Sequence, residues 1–284
     1  YTSGTENSAT TLTYANTAAS GIIEGNDLNK NNFGINQINT FLDNKLTVGA
    51  NANYISQKIN NRPVNGLYFN PLTSVYMMPR GGQSLDYWKN NYQVFDPARN
   101  LMAQNWINTP NETSQNPYWL INKNPSVDES RFFKGRLSLD YQVNDWLTLS
   151  TRYSYDRLES SFDKKIYATS ATSLSNVNGT YVNVNNVGSQ NYGDFLAKFN
   201  TNFSEDFSFN AILGTSFRKS FSESTILNSG RGSGGLTYVN WFTLGNFVNN
   251  AQNQQISGGN KEIQSVFATA TLGYKDYLFL DVTG

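Results

Sequence analysis

The sequence predicts an all-β fold: part of an antiparallel transmembrane β-barrel, about nine strands with short periplasmic turns and long extracellular loops. Three observations lead there. Apolar residues recur at every second position in several runs, the period of a strand with one apolar face. Each run is about ten residues, the length a tilted strand needs to cross a bilayer core. Two-residue polar turns alternate with long polar stretches, so the long segments always fall opposite the short turns. A soluble sandwich has no reason to sort its loops this way, whereas a membrane barrel does.

Thr10 to Thr17 is a weakly patterned first strand, followed by turn-rich chain around Gly21 and Gly25-Asn26-Asp27. Asn32 to Leu42 comes next, with an alternation through Phe33 and Ile35 that breaks at Gln37. After the turn Asp43-Asn44 the period resumes in Leu46, Val48, Ala50, Ala52 and Tyr54. Ile59 to Ser130 has no period. It holds Trp88, Trp106 and Trp119 among prolines that include Pro63, Pro71, Pro79, Pro97 and Pro110. A loop this long is usually functional or disordered, and its aromatic content argues against disorder.

The cleanest hairpin follows. Phe133, Gly135, Leu137, Leu139, Tyr141 and Val143 alternate with Lys134, Arg136, Ser138, Asp140 and Gln142. Past Asn144-Asp145, Leu147, Leu149, Thr151, Tyr153 and Tyr155 continue the apolar face. A polar loop from about Leu158 to Gln190 leads to Phe195, Ala197, Phe199, Thr201 and Phe203, the turn Glu205-Asp206, and the run from Phe207 to Phe217. A Gly/Ser/Asn-rich loop from about Ser220 to Gly259 precedes Val266 to Tyr274, the turn Lys275-Asp276 and a last run from Tyr277. The pattern places Leu137, Leu139, Leu147, Leu149, Phe199, Phe209, Ala268 and Leu272 toward lipid. It places Arg136, Asp140, Arg152 and Lys198 toward the lumen. Tyr54, Tyr153, Tyr155 and Phe217 on the loop side, with Trp146, Tyr274 and Tyr277 by the turns, match the two aromatic girdles of a barrel. A sheet with two open edges is not a finished barrel. The chain opens at Tyr1 with no signal peptide and stops at Gly284 just after a strand begins, so residues 1–284 are expected to be an internal piece of a longer protein.

Bulk composition excludes several classes. Lys+Arg and Asp+Glu are 21 each, so there is no basic surplus for nucleic acid. Without cysteine there is no disulfide framework or thiolate metal site. Without histidine, Ser-His-Asp, Cys-His and H-E-x-x-H chemistry are all unavailable. The expectation is no enzyme, no cofactor and no metal. Gly230-Arg231-Gly232-Ser233-Gly234-Gly235 formally contains G-x-G-x-x-G, but no strand runs straight into it and no helix follows, so a plain loop is favoured. Asn111-Glu112-Thr113, Asn178-Gly179-Thr180 and Asn202-Phe203-Ser204 are chance sequons in an Asn-rich chain. Asp128 and Glu129 could suggest a glycosidase pair, yet adjacent residues on extended chain point opposite ways. The candidate contact residues for substrate or partner are Trp88, Tyr92, Trp106, Tyr118 and Trp119, which serve equally as sugar-stacking platforms, interface anchors or packing within the loop.

Several stretches together resemble the SusC/RagA type of TonB-dependent outer-membrane transporter. They are Gly21-Ile22-Ile23; Leu46 to Tyr54 with Lys58-Ile59-Asn60-Asn61-Arg62-Pro63; Asn70-Pro71-Leu72 with Met78-Pro79-Arg80-Gly81; Phe95-Asp96-Pro97-Ala98-Arg99-Asn100-Leu101; Gln104-Asn105-Trp106; Asn116-Pro117-Tyr118-Trp119; Asp145-Trp146-Leu147; and Gln264 to Ala268 running to Gly273-Tyr274-Lys275-Asp276-Tyr277-Leu278-Phe279-Leu280-Asp281. The resemblance spans nearly the whole chain. It implies that residues 1–284 are the N-terminal part of the barrel, with the signal peptide, plug and remaining strands outside this sequence. It further implies location in the Gram-negative cell outer membrane and TonB-dependent import of glycans or peptides. The implied partners are a SusD-like lipoprotein, TonB acting through the absent plug, membrane lipid, and an oligosaccharide or peptide substrate. The alternatives are a surface glycan-binding adhesin or β-sandwich, a β-rich glycoside hydrolase, and a passive porin.

Overall fold

The structure, a computed structural model, describes every residue except 79, 108, 231–233, 249–253 and 276, and gives residue 254 by its backbone alone. The Gly-rich stretch from Arg231 to Ser233 and the turn residue Asp276 therefore lie outside the described residues. Among the described residues no helix is long and apolar enough to cross a membrane.

Ten strands form one antiparallel sheet in sequence order, interrupted only by a small hairpin that lies apart from it. They are β1 (Thr2–Thr5), β2 (Ser8–Ser20), β3 (Asp27–Phe41), β4 (Leu46–Asn60), β7 (Ser126–Asn144), β8 (Leu147–Ile166), β9 (Thr180–Asn202), β10 (Phe207–Asn228), β11 (Gln254–Tyr274) and β12 (Leu278–Thr283). Between β4 and β7 lie α1 (Pro71–Tyr76), α2 (Leu85–Asn90), the hairpin β5 (Gln93–Asp96) and β6 (Leu101–Gln104), and α3 (Pro117–Lys123). The sequence reading lacks β1 in the large sheet, and it lacks the hairpin β5–β6 inside the stretch read as aperiodic. Thr-Ser-Gly-Thr has no apolar period and is held only by its pairing with β2.

The short turns gather at one end of the sheet, and backbone bonds tie neighbouring turns together. Thr40 donates to Asn7 at 2.8 Å, Gln142 to Lys45 at 2.7 Å, Asn200 to Trp146 at 2.9 Å, and Lys275 to Asp206 at 2.8 Å. The turn after β3 is wider than two residues. Leu42, Asp43 and Asn44 all have positive φ (56°, 53° and 68°), and Lys45 N closes back on Leu42 O.

Register sorts the two faces. One cross-strand row reads Val48, Leu139, Thr151, Phe195, Thr215, Val266; the row on the other face reads Gly49, Ser138, Arg152, Asp194, Ser216, Ser265. The eight residues expected on the apolar face all share it, and Arg136, Asp140, Arg152 and Lys198 lie on the opposite one. Leu137, Leu213 and Val266 stand 57%, 54% and 79% exposed, whereas Ser150, Asp194 and Leu196 on the charged face are buried, as on the inside of a curled sheet. Gln37 interrupts the apolar face because it is internally satisfied. It accepts from the Thr10 hydroxyl and donates to Ser8 Oγ at 3.0 Å and Asn39 Oδ1 at 2.8 Å.

Aromatics occupy two levels of the apolar face. Trp146 stacks on Phe199 at 6.0 Å, and Phe207 and Tyr277 flank Tyr274 near the turns. Ten positions past Phe207 on β10, Phe217 pairs across Gly193 with Tyr153. A Cβ on Gly193 would come within 2.4 Å of the Phe217 ring, so the ring lies flat on bare backbone. At ~3.3 Å per residue the two levels are about 33 Å apart along the strand, which at the ~35–45° tilt of barrel strands matches the ~25 Å height of the apolar band.

The strands run far past that band. β9 has 23 residues, and β8, β10 and β11 have 20, 22 and 21. The loops expected over 158–190 and 220–259 are shorter than expected, because β8 runs to Ile166, β9 starts at Thr180, β10 runs to Asn228 and β11 starts at Gln254. Beyond a bilayer both faces of a strand meet water, and the alternation that signals a strand disappears.

Candidate functional site

At the end of the sheet opposite the short turns, three connections fold together into one cap. The longest is residues 61–125. Each of its helices begins where a side chain can accept the first free N–H groups. Asn70 Oδ1 takes Leu72 N, Ser84 Oγ takes Tyr87 N, and Asn116 Oδ1 takes Tyr118 N and Trp119 N. Pro71 and Pro117 stand in the first turns of α1 and α3, where their missing N–H costs nothing.

Asn116 is fully buried and organises the interior. Its backbone N donates to Gln104 Oε1 at 2.7 Å, and its Nδ2 reaches Asn105 O at 2.9 Å and Trp88 O at 3.3 Å. Around it pack Trp88, Trp106 and Trp119, exposed by only 6%, 8% and 0%. Trp88 meets Trp106 edge-on at 5.0 Å, Trp106 Nε1 donates to Ser114 Oγ at 2.9 Å, and Trp119 Nε1 donates to Ser170 Oγ at 2.9 Å. The sequence-selected aromatics thus separate. The three tryptophans are the core of the loop, and Tyr92 and Tyr118 remain partly accessible at its margin. Tyr92 lies 6.5 Å from Trp119, and Lys89 Nζ sits 5.5 Å over the Tyr118 ring. Lys89 also pairs with Glu24 at 2.8 Å, strapping α2 to the β2–β3 turn. That hydrogen bond raises the Lys89 ammonium above its ordinary range.

The other two loops lock onto the first. Gln104 N bonds Thr169 Oγ1 at 2.8 Å, Ala171 N bonds Gln115 Oε1 at 2.9 Å, and Arg99 Nη2 bonds Val177 O at 2.9 Å. Asn178 and Asn240 join the second loop to the third. Asn178 Nδ2 donates to Leu236 O at 2.9 Å, and Ala168 N donates to Asn240 Oδ1 at 2.7 Å. Tyr167, Tyr181, Phe242 and Phe247 fill the space beneath.

On the outside of this cap stands an aromatic pair that composition hid. Tyr238 and Trp241 are 64% and 57% exposed, with ring centroids 5.8 Å apart. Buried Asn246 fixes them, donating from Nδ2 to Tyr238 O and Trp241 O, both at 2.7 Å, and accepting from Tyr238 N at 2.8 Å. The sequence signal was Trp241 itself, masked by its Gly/Ser/Asn-rich surroundings.

Below the cap the inner face is charged. Arg152 Nε lies 3.0 Å from both oxygens of Asp194, whose side chain is fully buried, and the Tyr192 hydroxyl donates to Asp194 Oδ2 at 2.9 Å. Ser150 donates to Asp140 at 2.5 Å, and Lys198 lies 3.5 Å from Asp140. Asp128 and Glu129 point to opposite faces and pair separately, Asp128 with Arg62 at 3.2 Å and Glu129 with Lys58 at 3.0 Å. No group of metal-ligating side chains occurs among the described residues.

A continuous antiparallel wall with an apolar outer face, two aromatic levels, clustered turns and a loop cap is the architecture of an outer-membrane β-barrel. The solved structures agree. The chain superposes on the RagAB peptide transporter with a TM-score of 0.66 at 12% identity, covering 99% of this chain and 30% of that one. On the RagAB peptide importer in its open-open state the TM-score is 0.65 at 13% identity, with the same coverage. The ferric-catecholate import receptor Fiu of E. coli K12 gives a TM-score of 0.48 at 13% identity, over 94% of this chain and 38% of that one. No family model and no curated protein sequence matches the chain. The fold is that of the RagAB transporter barrel, as the sequence resemblance implies, and the RagAB structures that share it are of an importer rather than an enzyme. The chain spans 30% of the RagAB chain's length.

Proposed function

We propose that residues 1–284 form the N-terminal part of the barrel of an outer-membrane importer of the SusC/RagA type. The apolar face meets lipid, and the face carrying Arg136, Arg152, Asp194 and Lys198 lines the transport path. Further strands close the barrel, since lipid tolerates no open edge. Import is driven by TonB through a plug outside this sequence, and a SusD-like lipoprotein caps the loop end. The cargo is an oligosaccharide or a peptide; the peptide specificity of RagAB supports the latter class. The observation carrying this reading is that nearly the whole chain follows one transporter wall. A surface adhesin sandwich would need a second sheet against the apolar face, and none lies there among the described residues.

The tryptophans of the long loop serve by building the cap, and the contact itself falls to Tyr92, Tyr118, Tyr238 and Trp241 on its accessible side. Two measurements test this in the full-length protein: energy-dependent uptake of fluorescent peptides and glycans, and surface display. A Tyr238→Ala/Trp241→Ala protein should keep display and lose roughly 1–3 kcal/mol of cargo or lipoprotein binding. Uptake that persists after the proton-motive force is collapsed would instead indicate a passive porin.

A further inference from the structure

Halfway up the wall the inner face carries unequal charge. Three successive cross-strand rows run there through Lys134, Arg136 and Ser138 of β7. They hold five cations, Lys134, Arg136, Arg152, Arg218 and Lys261, against two acids, Asp156 and Asp194, a surplus of three. In the two outer-face rows between them the charged residues are Lys219 and Glu262, opposite each other in register. The imbalance therefore belongs to the inner face alone.

The two acids do not cancel it. Asp194 is held by Arg152, whose Nε lies 3.0 Å from both its oxygens. Asp156 stands opposite Lys134 in register, but no ion pair joins them. With Asp156 set against Lys134 all the same, Arg136, Arg218 and Lys261 stay uncompensated. They are exposed and have no ion pair among the described residues. They are spread over β7, β10 and β11, and Arg136 and Arg218 share one row. At ~4.8 Å per strand those two stand about 14 Å apart along the sheet. Charge of one sign on a wall of low dielectric focuses its field and gathers ions of the other sign.

We propose that this strip selects acidic peptides as cargo, with Arg136 at one end and Arg218 and Lys261 at the other receiving Asp or Glu carboxylates. The inference rests on the reading of the inner face as the transport path. About 14 Å is the span of roughly four residues of extended peptide, and carboxylates four apart lie on the same side of it. Both can therefore meet the two guanidiniums at once. An acidic oligosaccharide carries the same charge, but sugar rings favour open aromatic faces. The one aromatic ring in the three rows, Tyr192, is already engaged. Its hydroxyl donates to Asp194 at 2.9 Å, and the Arg218 guanidinium lies 6.0 Å from its ring centre.

The test uses the full-length protein purified in detergent and dye-labelled Gly/Ser peptides with Glu, Gln or Lys at every fourth position, read by fluorescence anisotropy. At low salt the Glu peptide should bind roughly tenfold or more tighter than the Gln peptide, and the Lys peptide weakest. The gap should close in high salt. An Arg136→Gln/Arg218→Gln protein should shrink it to about two- to threefold, whereas Lys219→Gln on the outer face should leave it intact. Heat-modifiable migration on gels verifies assembly, and Lys134→Gln/Lys261→Gln takes the place of the arginine variant if that one does not assemble. Equal affinity for the Glu and Gln peptides, as when acids of the plug cover the strip, overturns the proposal. So does a gap unchanged in the assembled variant, or an oligogalacturonide that binds more tightly than the Glu peptide. Binding in detergent needs no energy source. Uptake that proves independent of the proton-motive force would therefore sink the import mechanism and leave this result standing.

Discussion

Trp119 shows what single side chains contribute here. It is fully buried, touches Tyr92, and donates to Ser170 in another loop. Trp119→Ala would open a cavity and remove the donor to Ser170 Oγ, a hydroxyl that itself donates to Asn124 Oδ1 at 3.1 Å. A loss of about 3–5 kcal/mol of local stability follows. Limited proteolysis should then cut within residues 61–125 at protease levels that spare the parent, while the barrel keeps its heat-modifiable migration. Unchanged proteolysis would mean that the tryptophan does not hold the cap. The importance of Trp88, Trp106 and Trp119 was legible from residue type alone, but their inward direction was not. That direction is set by partners such as Ser114 and Ser170, which are 8 and 51 residues away along the chain. Tyr238 and Trp241 were illegible for the converse reason. Their presentation depends on Asn246, a residue whose type gives no hint that it is buried.

Individual strands were readable only as far as the bilayer imposes a pattern. Leu147 to Tyr155 in β8 and Phe207 to Phe217 in β10 alternate because one face is apolar and the other charged. Past Leu158, Gln190 and Ser220 the same strands continue with Asn, Ser and Gly on both faces, held by ladder bonds that composition does not reveal. This boundary makes a paired prediction. Leu139 lies in the row with Thr151 and Phe195, within the apolar band. Val187 lies in the row with Glu159 and Arg131, beyond the aromatic level. Leu139→Lys should cost roughly 2–4 kcal/mol of barrel stability and Val187→Lys about 0–1. Urea-dependent unfolding of the full-length protein in lipid vesicles would measure both. Equal costs at the two sites would place the band wrongly.

At the scale of the molecule, β1 and β12 are the two sheet edges, and an apolar face with Val266 79% exposed has nothing on it among the described residues. A 1–284 protein expressed alone should therefore self-associate in water and melt without a sharp transition. Light scattering and a thermal scan would report this. A monodisperse monomer with a cooperative melt would favour a soluble adhesin. The central claim is a two-faced wall, with lipid on one side and an aqueous path on the other, and β7 tests it most directly. The chain has no cysteine, so single cysteines from Arg136 to Tyr141 can carry spin labels in the complete protein reconstituted in lipid. Oxygen should quench labels at Leu137, Leu139 and Tyr141, and a water-soluble nickel chelate should quench labels at Arg136, Ser138 and Asp140. A reversed alternation, or none, would contradict the account.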